Sequence, residues 1–490
     1  MSGAILALDQ GTSATKALVV RADGSVAAEA EVPVTTRVVG PDGVETDPEE
    51  LWTSLLTAGS AAAGRAGEAI AAVALANQGE TVLAWRRATG APLSAAIGWQ
   101  DRRAAQVTEA LAGHGDFVRA VSGLELDPYF SAPKMTWLRP QVPDDAVITT
   151  TDTWLLHRLT GGYVTDAATA SRTLLFDLDA GAWSEDLGAL FGVDVASLPS
   201  VLGNTSLVGS TRAFGAEVPV IGTAVDQQAA LFAEGCFERG QAKCTYGTGA
   251  FLLTTLGGSA PRSATGLATC VAWRIDDATT YCLDGQVYTA GSAVSWLVSL
   301  GMIDSPAALD AVVHDGDKGC GRAAGGTEVF VPALSGLAAP YWAPTARAAW
   351  SGLSLDTDRA ALVRAVLEGI AAHVAVLGRA EAADLGGPIE RLRADGGLVR
   401  SRTLMQAQAD LLQAPVEVYA TPHATALGVA ALARLGLGDA ATPADAVSAW
   451  RPATTYEPGC TAAEAERRLA RWLQAADAVA REAGVTGTAP

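Results

Sequence analysis

The chain has 490 residues, 49% of them hydrophobic and 18% charged, with 34 Lys and Arg against 53 Asp and Glu for a formal net charge of −19. That composition excludes a disordered chain, which needs low hydrophobicity. The acidic balance excludes nucleic acid or an anionic membrane surface as the main partner, because both demand a basic footprint. At roughly 100–200 residues per domain, the length accommodates about two to four domains with cores of their own.

The first residues, Met1 to Asp9, lack the basic segment and long apolar stretch of a signal peptide. No apolar run approaches the ~18 residues of a membrane span, so the cytoplasm is the expected location. Ala4–Leu8 and Ala17–Val20 read as strands on either side of a glycine turn, with a second turn at Asp23-Gly24. Ala69–Ala76 has strand length, and Thr151–Leu159 reads as the start of a helix. Val218–Gly222 reads as a strand delivering Asp226 to a helix over Gln227–Glu234 that Gly235 closes.

A second strand, glycine turn and strand follow at Ala242–Tyr246, Gly247–Gly249 and Ala250–Thr254, which hints at two similar halves. Leu362, Val363, Val366, Leu367, Ile370, Val374 and Leu377 mark one face of a long helix, capped by Asp356 or Asp358. Gly369 within it implies a close backbone approach, since glycine there costs ~1 kcal/mol against alanine. Leu392–Asp395 reads as a strand, Gly396-Gly397 as a turn, Thr403–Leu412 as a helix, and Thr461–Gly484 as a surface helix with a frayed end. The mixture is α/β, with a boundary placed by pattern alone between residues 1–238 and 239–490.

Asp9-Gln-Gly-Thr-Ser-Ala-Thr-Lys16 sets a carboxylate at a strand end, then a glycine turn with hydroxyls, then a lysine. Such a segment is either an ordinary hairpin or a phosphate cradle, in which amides and hydroxyls donate to phosphate oxygens and the carboxylate can hold Mg²⁺. It is not a Walker A loop. Two readings likewise stand at Asp226: a helix N-cap, or a base that accepts a proton from an attacking hydroxyl. Trp99, Tyr129 and Glu80 could line a small polar pocket or simply pack. The five histidines and six cysteines (Cys236, Cys244, Cys270, Cys282, Cys320, Cys460) form no metal set, and the cysteines read as buried free thiols.

In this order, the segments Leu8-Asp-Gln-Gly-Thr12, Trp99-Gln-Asp-Arg-Arg103, Asp127-Pro-Tyr-Phe-Ser131, Ser171-Arg-Thr173, Asp226-Gln-Gln-Ala-Ala-Leu-Phe232, Tyr246-Gly-Thr-Gly249, Ala339-Pro-Tyr-Trp342 and Thr425-Ala-Leu-Gly428 resemble the FGGY family of carbohydrate kinases, and within it the glycerol kinase branch. The resemblance implies two ribonuclease-H-like (actin-like) domains around a cleft. It implies ATP lying mainly on the C-terminal domain, with its phosphates at Thr12, Ser13, Ala14 and Lys16 on one side and Thr248 on the other. Gly291, Ser295, Gly396, Gly397 and Ser401 would lie near the nucleotide, Mg²⁺ near Asp9 and Asp226.

The resemblance further implies that Glu80, Trp99, Tyr129 and Asp226 contact a polyol or sugar, with Asp226 the general base and Gln227 beside it. Gly79 departs from the pattern, because glycerol kinases carry an arginine there. The missing guanidinium implies either another donor or a larger polyol or ketose, of the erythritol, xylulose or ribulose type, in the space that glycine leaves. Ser295 and Ser401 depart as well, in place of amide side chains near the nucleotide, and Ala343 follows Tyr341-Trp342 where the family usually has an aspartate. The implied partners are ATP and a small polyol or sugar, with neither nucleic acid nor membrane, and with self-association as a homodimer or homotetramer left open. The alternative from another class is a non-catalytic actin-like nucleotide switch, which needs the phosphate hairpins but not the polyol-contacting set.

Overall fold

Alternation along Ala4–Gln10 puts Ile5 and Ala7 on one face and Leu6 and Leu8 on the other, and both faces are buried. A strand covered on both sides belongs at the centre of a sheet. In the computed structural model, which describes residues 3–320 and 326–485, it does. The sheet runs Leu207–Thr211, Val218–Val225, Ile70–Asn77, Ala4–Gln10, Ala14–Val20, Val26–Pro33. Ala4–Gln10 pairs antiparallel with Ala14–Val20 and parallel with Ile70–Asn77, which is in turn parallel to Val218–Val225.

The second large sheet repeats this plan. Its order is Ala268–Ile275, Ala278–Val287, Ala250–Gly257, Ala242–Tyr246, Leu392–Asp395, Val416–Val418, Thr454–Tyr456. Again the first strand of the hairpin pairs antiparallel with its successor and parallel with a later strand, itself parallel to the next. Two copies of one α/β pattern, the ribonuclease-H-like (actin-like) order, therefore build the molecule. The first hairpin is longer than the sequence reading allowed, its ladder continuing to Asp9↔Lys16 and Gln10↔Thr15 and leaving only residues 11–13 as the turn, whereas the second ladder, Ala242↔Thr254 to Tyr246↔Ala250, has the expected bounds.

One face of the first sheet carries the helix Pro48–Ala66, whose Leu51, Leu55, Ala58 and Ala62 meet Leu6, Leu8 and Leu75. The opposite face carries Asp226–Ala233 together with Ala424–Gly436, a helix that follows the second sheet in sequence yet packs on the first. These two helices touch so closely that a Cβ on Gly428 would overlap the carbonyl oxygen of Ala229. The second sheet packs one face on the core helix Arg359–Leu385 and turns the other, with Phe251, Leu253, Cys270 and Cys282, toward Trp99, Tyr129, Phe130 and Leu174 of the first half.

Asp358 caps Arg359–Leu385 by accepting from the Ala361 amide at 2.8 Å, as one of the two expected caps. Gly369 faces the Phe330 carbonyl, which a Cβ would overlap, so the close approach that glycine implied is present. This 27-residue helix is long and apolar enough to cross a membrane, but 72% of its most apolar window is buried, which is the setting of a core helix. The C-terminal helix, Ala462–Glu482, is not confined to the surface: Leu469, Trp472 and Ala476 enter the same core. The frayed end expected after it lies outside the described residues. Of the described cysteines, Cys236, Cys244, Cys270 and Cys282 are buried and free, whereas Cys460 is partly exposed.

His373, 1% exposed, lies in this core with Nε2 2.9 Å from the Ala339 carbonyl oxygen. Burial depresses its pKa from 6.5 to about 4. Between those values the unfolded chain binds a proton that the folded one refuses, so stability present above pH 6.5 is lost as pH falls. From pH 7 to pH 5 this group should cost the wild type about 2 kcal/mol of unfolding free energy that His373→Gln does not lose. Denaturant titrations of both chains at the two pH values measure the difference; equal losses would remove His373 as its source.

Candidate active site

The carboxyl ends of the first sheet's parallel strands open into a cavity of about 260 Å³ between the two halves. Ligands of α/β folds bind at such strand ends. The phosphate-turn residues Thr12, Ser13, Ala14 and Lys16 line it from one half and Thr248 from the other, together with Asp9, Gly79, Glu80, Trp99, Tyr129, Asp226 and Gln227. Seven of the eight segments quoted for the resemblance, far apart in sequence, thus contribute residues to one space, with Arg172 and Thr425 among them.

Asp226 is the first residue of its helix rather than the cap, because Val225 is still extended; its Oδ1 accepts from the Gln227 amide at 2.7 Å. Burial, then the charges of Asp9 and Glu80, push its pKa up to about 7, against the opposing pull of Lys243. A carboxylate so placed is matched to take a proton at neutral pH. Asp9, opposite Lys16 in the ladder, is raised to about 6, by burial first and with Asp395 and Glu31 adding to it, while Lys16 opposes. Asp9 and Asp226 are thus a pair of neighbouring oxygen donors short of positive charge.

Thr12, besides lining the cavity, has two side-chain partners. Its hydroxyl accepts from Trp99 Nε1 at 3.0 Å and donates to Gln78 Oε1 at 3.3 Å, which spends the side chain on fixing Trp99. Ser13 is exposed at the tip of the turn. On the far side, Gly291 donates its amide to the Gly247 carbonyl at 2.9 Å, and Gly396, at φ +96°, has the Tyr246 carbonyl 2.5 Å from where a Cβ would stand. Both glycines therefore close backbone against the second phosphate turn, while Gly397 and Ser295 are exposed beside it. Ser401 is buried and caps the helix Arg402–Leu412, accepting from the Leu404 amide and donating to Asp310 at 2.9 Å. That hydroxyl is thus held by two protein partners.

Glu80 sits at φ +58° in a tight turn closed by the Thr81 amide on the Gly79 carbonyl, 2.7 Å away. A non-glycine residue held there is strained, and such strain persists where the surroundings fix it. Here Arg172 does so: its guanidinium pairs with Glu80 and with Asp284 of the second half, and Nη2 reaches Tyr129 Oη at 3.3 Å. Tyr129 is T-shaped to Trp99 at 6.0 Å, and Trp99 to Phe251 at 5.8 Å, giving an apolar wall with polar rims. Lys134, fully buried, donates to the Pro128 and Tyr129 carbonyls and so anchors the Tyr129 turn.

Sequence reasoning assigned no role to Arg172, Phe251, Lys134 or Asp284, although Arg172 stands in one of the quoted segments. Lys243 does not line the cavity. It is buried, with Nζ 2.7 Å from both Gln227 Oε1 and Thr245 Oγ1, and Thr245 donates on to Asp395. This chain of bonds joins the helix of Asp226 in one half to the strand preceding Gly396 in the other.

Residues 4–233 match the N-terminal domain and residues 242–437 the C-terminal domain of the FGGY family of carbohydrate kinases. The chain is 41% identical to a glycerol kinase of Myxococcus xanthus over 96% of its own length and 98% of that protein, and 42% identical to one of Alkalilimnicola ehrlichii over 96% and 97%. Its fold is similar to that of Plasmodium falciparum glycerol kinase with ADP, with a TM-score of 0.85, 30% identity and coverage of 97% and 98%. A xylulose kinase from Lactobacillus acidophilus, 20% identical, shares the fold at the same TM-score of 0.85 over 98% and 99% of the two chains. With both domains matched around a cleft that unites two glycine turns, a raised carboxyl and an aromatic wall, the chain belongs to the FGGY family of carbohydrate kinases.

Proposed function

We propose that this ATP-dependent carbohydrate kinase transfers the γ-phosphoryl group to a hydroxyl of glycerol. The observation that carries the reading is Asp226, with its pKa near 7, in one cavity with Glu80, Trp99 and Tyr129 on one side and the two phosphate turns on the other. The 41–42% identity to proteins named glycerol kinases supports glycerol over a ketose, because the xylulose kinase resemblance at 20% speaks for the fold.

In this reading Asp226 takes the proton of the attacking hydroxyl while Glu80 and Tyr129 hold the acceptor and Trp99 and Phe251 keep water from its carbon face. Gln227, fixed by Lys243, keeps the helix start in place. Lys16 and the amides of residues 12–14 and 248 bind the phosphates, with residues 1–238 bearing the acceptor site and 239–490 most of the nucleotide, in a cytoplasmic enzyme. Asp9 and Asp226, buried oxygen donors of which the first raises the pKa of the second, fit Mg²⁺. The ion would neutralise charge on the phosphates there.

ADP release over glycerol, erythritol, ribitol, xylitol, xylulose, ribulose, gluconate and dihydroxyacetone tests the assignment. Glycerol should give the highest kcat/KM. A ketose or longer polyol at the head of the series would replace glycerol, and no stimulated turnover with any compound would favour the nucleotide switch.

A further inference from the structure

The acceptor end of the cavity has an unusual inventory of donors. Lys16 belongs to the phosphate turn, so the cation among the described residues lining the acceptor end is Arg172, whose side chain is 4% exposed. Of its five N–H groups, Nε serves Glu80, Nη1 serves Asp284 and the Cys270 sulfur at 3.6 Å, and Nη2 serves Tyr129. One Nη2 proton is left over, on a guanidinium that is locked in place by carboxylates from both halves.

The wall beside it is also particular. A Cβ on Gly79 would stand 3.8 Å from Arg172 Nε but only 3.0 Å from Cγ2 of Val225. The space expected next to Gly79 is therefore largely taken by the valine methyl, and the glycine is what lets Val225 and Arg172 approach the same turn.

We propose that Arg172 is a specificity-determining residue of the acceptor site: its remaining Nη2 proton binds an acceptor hydroxyl other than the one that receives the phosphoryl group, while Val225, packed against Gly79, limits the site to a glycerol-sized acceptor. The inference rests on the kinase reading above. It resolves the absence of an arginine at position 79 in favour of a second donor rather than a larger acceptor.

The test pairs residue changes with acceptor changes. Arg172→Gln, Val225→Ala and the wild type are assayed for kcat/KM on glycerol, 1,2-propanediol, 1,3-propanediol and erythritol, with Tm measured for each. The preference of the wild type for glycerol over the diol lacking the bound hydroxyl should shrink by about tenfold or more in Arg172→Gln, because an unpaired hydroxyl partner is what sets such ratios. Val225→Ala should raise the erythritol-to-glycerol ratio at least about fivefold, and Gly79→Ala added to it should take that gain back.

Wild-type diol ratios in an Arg172→Gln protein of unchanged Tm would overturn the role of Arg172. Should that variant not fold, an unmoved erythritol ratio in Val225→Ala overturns the proposal on its own. A wild type that turns over none of these acceptors sinks the glycerol reading on which the proposal rests, which the ratios among active proteins cannot do.

Discussion

Asp226→Asn should lower kcat by about 10²–10⁴-fold while ATP binding survives. The substitution keeps size and shape, and the amide still meets its neighbour, but it deletes the one group in the acceptor site whose pKa, near 7, suits proton removal at neutral pH. In the proposed reading nucleotide affinity rests on the turn amides and Lys16, which line the same cavity and which the change leaves in place. Stopped-time ADP release on glycerol and equilibrium binding of a fluorescent ATP analogue separate the two effects. Turnover within threefold of the wild type would take the role of base away from Asp226; joint loss of binding would make the carboxylate a nucleotide-site group first.

The second large effect is expected at a residue that does not line the cavity, at Gly428→Val. The new side chain would run into the Ala229 carbonyl on the helix that begins with Asp226. Overpacking of a close-packed core costs roughly 1–3 kcal/mol, and a backbone neighbour gives way less readily than a side chain. Relief requires the two helices to part, and a shift of ~1 Å at a reacting group can cost ~10² in rate. The variant should therefore melt several degrees below the wild type and lose kcat with little change in KM for ATP. A valine chain with the wild-type Tm and kcat would mean that the crossing is looser than its geometry.

Local signals made much of this legible. Both hairpins, the strand that delivers Asp226, the capped helix at Asp358 and the close approach at Gly369 were readable because each depends on residues within one or two turns. The two similar halves followed from two hairpins with the same glycine pattern. What escaped depends on contacts made across the chain. Arg172 and Asp284 are 112 positions apart, and nothing about a lone acid in Ala278–Val287 announces an ion pair with the other half. Lys243 stands just before the second glycine turn, and nothing local tells that Gln227 and Thr245 hold it in the interior. Thr12 and Ser401 read from the sequence as nucleotide-site hydroxyls, and nothing local announced the bonds they make to Trp99, 87 residues away, and Asp310, 91 away. The space next to Gly79 was judged from the missing side chain alone, without the Val225 methyl that enters it.

The helix Ala424–Gly436 completes the sheet of the first half with Ala426, Val429, Ala430 and Leu432, although it lies nearly at the other end of the chain. Synthesis runs from the N-terminus, so the ribosome releases every strand of that sheet long before the helix that covers it. Until residue 436 has emerged, the nascent first half shows water an apolar face of Ile5, Ala7, Ala72 and Ala74, the kind of surface that chaperones hold and that aggregates when they do not. A gene cut between the halves would leave that face open for good, and co-expression of the two pieces, not either alone, is the way to recover the first.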